Sequence, residues 1–302
     1  MTALYDTRQV RRAFSRAASG YEAAAHLQRE TEARLLEMLD YRDDPALQRE
    51  PPRVVVDLGC GPGRAAAAMQ KRWPKANVLA LDLALPMLRE TRSASKRGIN
   101  PFARRPQPVC ADARTLPLAE NSVDVLFSNL CLQWVEDLDA VFAGFRRVLK
   151  PQGLLLLSTF GPDTLWELRE AFARADEAPH VSPFADIAAV GDALMRAGFH
   201  QPVLEREVET TEYANLAALM RELRALGATN ALAARRHTLT GRTRFAAAER
   251  AYAPLRGGGG MLPATWETIT AMAWAPDAGA PIREGEMEIA RFPANAIPVR
   301  RR

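Results

Sequence analysis

Val54-Val55-Val56 runs into Asp57-Leu58-Gly59-Cys60-Gly61-Pro62-Gly63, and Ala65-Ala66-Ala67-Ala68-Met69 follows at once. A β-branched apolar run, a glycine turn and a helix-favouring run describe a buried strand turning sharply into a helix. Glycine is needed where the backbone takes positive φ or where a ligand must lie against the main chain, and the new helix offers unpaired N–H groups just beyond. Such a turn suits a nucleotide-type ligand. The spacing is G-x-G-x-G behind an acid; a dinucleotide fingerprint would put its last glycine where Arg64 stands, and Asp57 would repel a pyrophosphate. No Gly-Lys-Ser/Thr follows, which excludes a P-loop. Asp57 either accepts from an ammonium group of the ligand or braces the glycine loop.

Around this turn, apolar runs and helical patterns alternate. Strands are expected at 53–58, 77–82, 107–110, 123–128 and 153–159, and helices at 63–72, 84–96 and 137–149. That order argues for a parallel sheet with helices on both faces. Lys150-Pro151-Gln152-Gly153 reads as a helix stop and turn before Leu154 to Leu157. A further helix over 186–197 and a strand over Val203 to Val208 continue the pattern. Residues 7–40 are helical in period and free of proline. The stretch 211–257, rich in alanine, leucine and arginine, breaks the alternation and reads as a helical insertion. Gly257 to Gly260 then form a flexible loop before a late strand from Thr265 to Trp274. The expected organisation is a helical N-terminal cap (1–50), an α/β core (51–210), a helical lid (211–260) and a returning strand with its tail (261–302).

At 302 residues and 48% hydrophobic content the chain can bury one large core or two smaller ones. It shows neither a basic segment followed by an apolar one at its start nor about 18 uninterrupted apolar residues, so a cytoplasmic protein without a membrane partner is expected. Cys60, Cys110 and Cys131 are odd in number, far apart and set in apolar sequence, which fits buried thiols. Histidines 26, 180, 200 and 237 have no ligand spacing; no metal site is expected, and each reads as a surface or packing residue. A formal charge of +4 is too small to imply nucleic-acid binding without a concentrated patch. Eight arginines do concentrate between Arg221 and Arg256, Arg224, Arg235 and Arg236 among them, forming either a solvated helical surface or a landing place for an acidic partner.

The acids at the strand ends add chemistry. Asp82 closes Val78-Leu79-Ala80-Leu81-Asp82, where an acid can accept from both hydroxyls of a ribose. Asp112 follows the third strand, placed to accept from an adenine amino group; Asn129 and Leu130 follow the fourth. Any one acid could be a helix cap, but together they line one crevice at the carboxyl edge of the sheet. Through Asp57 to Gly63, Asp82, Asp112-Ala113 and Leu149 to Gly153, residues 50–210 resemble the class I S-adenosylmethionine-dependent methyltransferases. The resemblance implies a Rossmann-like, seven-stranded, mostly parallel sheet with a reversed last strand. It puts Gly59 and Gly61 against the methionine end of S-adenosylmethionine, Asp82 on its ribose, and Asp112 with Ala113 at its adenine; Asp57, Leu83, Asn129 and Leu130 complete the expected cofactor site.

The flanks narrow the resemblance. Phe14-Ser15-Arg16-Ala17-Ala18-Ser19-Gly20-Tyr21, Ala25-His26-Leu27-Gln28, Asn129-Leu130-Cys131-Leu132-Gln133-Trp134, Leu226 to Asn230, Leu239 to Arg242 and Leu262 to Glu267 are similar, nearly end to end, to the BioC family, the malonyl-acyl-carrier-protein O-methyltransferases of biotin synthesis. That family implies methyl transfer to the free carboxylate of a malonyl thioester, on acyl carrier protein or coenzyme A, by a monomer. A carboxylate is already ionised at neutral pH, so no general base is needed. The residues expected to position it are Tyr21 and Gln28 as the catalytic pair, with Trp134 and a lid arginine, Arg221 or Arg224, on the substrate. Tyr21 could equally be a core aromatic in helical spacing with Phe14, and Trp134 could simply pack. The basic lid, with Arg235 and Arg236, would draw in an acidic carrier. Alternatives on the same sheet are a methyltransferase for another small carboxylic acid or a quinone precursor, a respiratory-complex assembly factor, and an RNA methyltransferase, against which the lack of an RNA-binding module argues.

Overall fold

The protein is described by a computed structural model covering residues 3–95, 104–238, 240–278, 282–284 and 287–289. Three helices open the chain: α1 (Thr7–Ala17), α2 (Tyr21–Ala24) and α3 (His26–Met38). The single helix expected over 7–40 is broken twice. Gly20 donates to Ala17 O at 2.9 Å and ends the first piece, and Ala25 leaves helical geometry at φ −81°, ψ 51°.

The core then runs β1 (Val54–Leu58), α4 (Arg64–Arg72), β2 (Asn77–Asp82), α5 (Leu85–Ser95), β3 (Gln107–Cys110), β4 (Val123–Ser128), α6 (Leu138–Val148), β5 (Leu149–Phe160), α7 (Trp166–Ala173), α8 (Ile187–Arg196) and β6 (His200–Tyr213). After it come α9 (Leu216–Ala225), α10 (Arg242–Tyr252), β7 (Leu262–Trp274) and a small hairpin of β8 (Ile282–Glu284) and β9 (Met287–Ile289). The end of the expected 84–96 helix, Leu239 and the chain beyond 289 lie outside the described residues.

Seven strands form one sheet in the order β3-β2-β1-β4-β5-β7-β6, parallel from β3 to β5, with β7 antiparallel to both its neighbours. This is the expected mostly parallel sheet with a reversed last strand. Period-two alternation sends Val56, Leu58, Leu155 and Leu157 to the face covered by α6 and α8. Val55, Leu154 and Leu156 go to the face covered by α3 and α4. Burial on both faces explains why β1 and β5 read as unbroken apolar runs. Among the described residues no helix is long and apolar enough to cross a membrane.

Three elements differ from expectation. Lys150 to Gly153 do not separate helix from strand; they form an irregularity inside β5, where Val123 faces Leu149 and Val125 faces Leu154, and Gln152 takes φ 58°. β6 extends five residues past Val208, to Tyr213, because β7 pairs with it as far as Leu262. The insertion is therefore shorter than 211–257, and α9 and α10 carry it. They share an apolar cluster with α7 and the start of β7 through Leu219, Leu223, Ala248, Tyr252, Phe172 and Trp266. Helix α7 is the element sequence periodicity did not reveal.

Candidate active site

The ends of β1, β2 and β4 place the glycine turn, Asp82 and Asn129 around one cavity. Gly59 and Gly61 take φ 71° and 52°, the left-handed region that suits glycine. Asp82 ties the turn to β2: one carboxylate oxygen accepts from Gly61 N at 2.9 Å and the other from Ala84 N at 2.7 Å. Burial pushes its pKa up to about 6, with those two N–H groups working against the rise. Asp57 is 2% exposed, and one of its oxygens accepts from Ala66 N at 2.8 Å, a brace at the start of α4.

Asp112 meets a partner that sequence reasoning overlooked. Arg114 grips it through Nε at 2.9 Å and Nη2 at 2.5 Å and holds its carboxyl below the usual range. Asn129 Nδ2 donates to Gln28 O at 2.9 Å, joining α3 to the end of β4. Ser158 on β5 donates to Asn129 Oδ1 at 2.7 Å, and its hydroxyl accepts from Leu130 N at 2.9 Å. This supports Leu130 at φ 45°, a conformation costing a non-glycine residue about 1–2 kcal/mol. No local signal marks Ser158, since it reads as one more residue of an apolar strand.

Gly59, Gly61, Asp82, Leu83, Asp112, Ala113, Asn129 and Leu130 all line this first cavity, of about 100 Å³. Beside the glycine turn a recess brings Gln28, Arg29, Glu32, Asp57 and Arg64 together. Arg64 Nε lies 2.8 Å from Glu32, whose pKa burial pushes up to about 7. A second cavity of about 500 Å³ opens between the sheet and the helical insertion, roomy where the first is narrow. The two share Phe14, Tyr21, Leu130 and Trp134. Trp134 stands edge-on to Phe14 at 5.5 Å and to Tyr5 at 6.1 Å, so it both packs and walls the site.

Gln28, Trp134 and Arg224 line the second cavity; Arg221, three residues before Arg224 on α9, does not. Arg235 and Arg236 also line it, but as struts. Arg235 pairs with Asp6 at 2.8 Å and Arg236 with Asp176. Both guanidiniums are therefore paired within the chain. The cavity holds further residues from the segment 180–184, which carries no sequence pattern. Four of its lining residues, Gln28 (Oε1), Gln133 (Oε1), Trp134 (Nε1) and Thr229 (Oγ1), keep a buried polar atom without a hydrogen-bond partner among the described residues. Such atoms cost about 1–3 kcal/mol each unless a ligand or water satisfies them.

The reversed β7, the glycine turn and a cavity at the carboxyl edge are the architecture of class I S-adenosylmethionine-dependent methyltransferases, and a family model described as a methyltransferase domain matches residues 56–157. The chain is 58% identical to a malonyl-[acyl-carrier protein] O-methyltransferase of Xylella fastidiosa (strain M23), over 100% of this chain and 99% of that one. It belongs to that family. A namesake from Methylovorus sp. (strain MP688) is 44% identical over 93% of each chain. In fold it is similar to the YcgJ protein of Bacillus subtilis, with TM-score 0.57 and 13% identity over 82% of this chain and 100% of that one.

The cavity fits the methyl donor. Its bare glycine turn, the two-oxygen acceptor of Asp82 and the recess of mixed charge match a backbone-hugging chain, a ribose diol and an amino-acid end. A ribose diol held at Asp82 would call for the ionised carboxylate. S-adenosylhomocysteine is therefore expected to bind about tenfold more weakly at pH 5 than at pH 8, levelling off above about pH 7. Calorimetric titration across that range checks this, and Asp82→Asn should flatten the profile.

Proposed function

We propose that the protein methylates the free carboxylate of a malonyl thioester carried on acyl carrier protein, giving the methyl ester from which pimelate is built in biotin synthesis. The observation that carries this reading is the meeting of the two cavities at Phe14, Tyr21, Leu130 and Trp134. None of these four side chains titrates near neutral pH, and a carboxylate acceptor asks for no base. S-adenosylmethionine supplies an electrophilic methyl on a sulfonium sulfur, so a carboxylate oxygen becomes the ester and S-adenosylhomocysteine leaves.

In this reading Asp82 takes the ribose, Gly59 and Gly61 leave room for the methionine chain, and Asp112, Ala113 and Leu83 flank the adenine. Gln28, whose Oε1 lacks a partner among the described residues, serves the amino-acid end or the thioester beside it. Tyr21 closes the junction. Burial, reinforced by Asp82, raises its phenol above the ordinary value, so it acts as an O–H donor to the carboxylate and not as a base. Leu130, Trp134 and Phe14 keep water from the reacting oxygen, which strengthens every polar contact made there. Arg224 contributes charge on the second cavity without clamping the carboxylate, as a tight clamp would stabilise the ground state. The reading keeps the monomeric, cytoplasmic enzyme expected from the sequence.

The test is transfer of labelled methyl to malonyl-acyl-carrier protein, with the acetyl form as the control that lacks a carboxylate. Base-labile label on the malonyl form alone is expected. Label on both forms, or on neither while S-adenosylhomocysteine still binds, overturns the assignment.

A further inference from the structure

His180, read from sequence as a surface or packing residue, lines the second cavity, on the segment between α7 and α8. Its ring is held on two sides. It stacks on Phe172 with centroids 3.9 Å apart and planes 12° from parallel, and its Nε2 lies 3.1 Å from Asp176 Oδ2.

The cluster around Asp176 sets the ring's surroundings. That carboxylate is shielded from solvent and already faces two guanidiniums, Arg236 in a two-pronged grip and Arg244 at 3.8 Å. Hydrogen bonds from Arg236 and His180 hold it well below the usual carboxylate range, so it is an ionised acceptor. With Nε2 facing Asp176 Oδ2 at 3.1 Å, the tautomer that carries its proton on Nε2 leaves Nδ1 as a lone-pair acceptor. Among the described residues no partner is recorded for Nδ1. Much of the surrounding wall is apolar: Phe172, Phe245, Met220 and Leu223 line the same cavity.

We propose that His180 is a substrate-binding residue whose Nδ1 accepts a hydrogen bond from an amide N–H of the arm that carries the acyl thioester. A fixed acceptor in an apolar wall selects an amide-bearing arm over a plain alkyl thioester, and it acts on binding, away from the methyl-transfer junction. This rests on the malonyl-thioester reading above.

Two substitutions separate binding from support. In His180→Asn the side-chain oxygen can stand near the Nδ1 position, keeping the acceptor and losing the contact to Asp176. In His180→Gln the side-chain amide can keep the donor to Asp176 and lose the acceptor. With malonyl-pantetheine, His180→Gln is expected to raise KM about tenfold with kcat within about twofold, and His180→Asn to stay within about threefold of the parent. With malonyl methyl thioester, which has no amide, neither variant should change KM. S-adenosylhomocysteine affinity, measured in parallel, should be unchanged.

A reversed order, with His180→Asn the worse variant, means that the ring only supports Asp176 and overturns the proposal. So does an equal shift for both thioesters, or no shift for either. Failure of the parent enzyme to methylate any malonyl thioester while S-adenosylhomocysteine binds overturns the underlying reading, and this proposal with it.

Discussion

Asp82→Ala is expected to cut affinity for S-adenosylhomocysteine about 100-fold, ~2.8 kcal/mol, and to lower methyl transfer in proportion at subsaturating donor. The side chain does two jobs at once. It accepts from Gly61 N at 2.9 Å and Ala84 N at 2.7 Å, which sets the glycine turn against the end of β2, and it is the acceptor available to a ribose diol. Alanine removes both, leaving two backbone N–H groups without their acceptor. Isothermal titration reads the first effect directly. A change of less than about threefold would show that the ribose is held elsewhere. Because burial already disfavours the charged form of Asp82, the unliganded protein should lose far less stability than the complex. Thermal melts with and without ligand therefore separate a folding defect from a binding defect.

Gly59→Ala is expected to destabilise the fold by about 3 kcal/mol and to abolish measurable donor binding. At φ 71° an alanine sits in the left-handed region, at about 1–2 kcal/mol. Its Cβ would also lie 2.6 Å from Cys131 Cβ and Sγ, so the loop after β4 must move, adding about 1–3 kcal/mol of overpacking. The movement falls on Asn129 and Leu130, which line the first cavity. Gly144→Ala is the internal control. That residue lies within α6, where beyond its chain neighbours and its own helix backbone no described atom lies within 4 Å of an added Cβ, and alanine there should stabilise by about 0.5–1 kcal/mol. Denaturant midpoints for the two variants should move in opposite directions.

The legible part of this protein is local. The glycine turn, Asp82, Asp112 and the strand ends could be read because each depends on backbone geometry and side-chain chemistry within a few residues of one strand. The parallel sheet was legible because strands buried on both faces leave long apolar runs. The irregularity at Lys150 to Gly153 was misread because a proline and a glycine mark a turn and a bulge with the same residues. The end of β6 was missed because Glu209 to Glu212 look like surface sequence, and only pairing with β7 makes them a strand.

The arginines and His180 mark the boundary. Arg235 reads as a solvated lid charge until Asp6, 229 positions away, arrives beside it, and Arg236 until Asp176 does, 60 positions away. His180 carries no motif, yet stacking on Phe172 and the bond to Asp176 aim its chemistry. The sequence by itself determined the sheet, the family and the glycine turn with its strand-end acids, all of which rest on short-range backbone chemistry. Only the tertiary structure decided which charged side chains pair within the chain, because a charge takes its role from the partner that folding brings to it across many residues of chain.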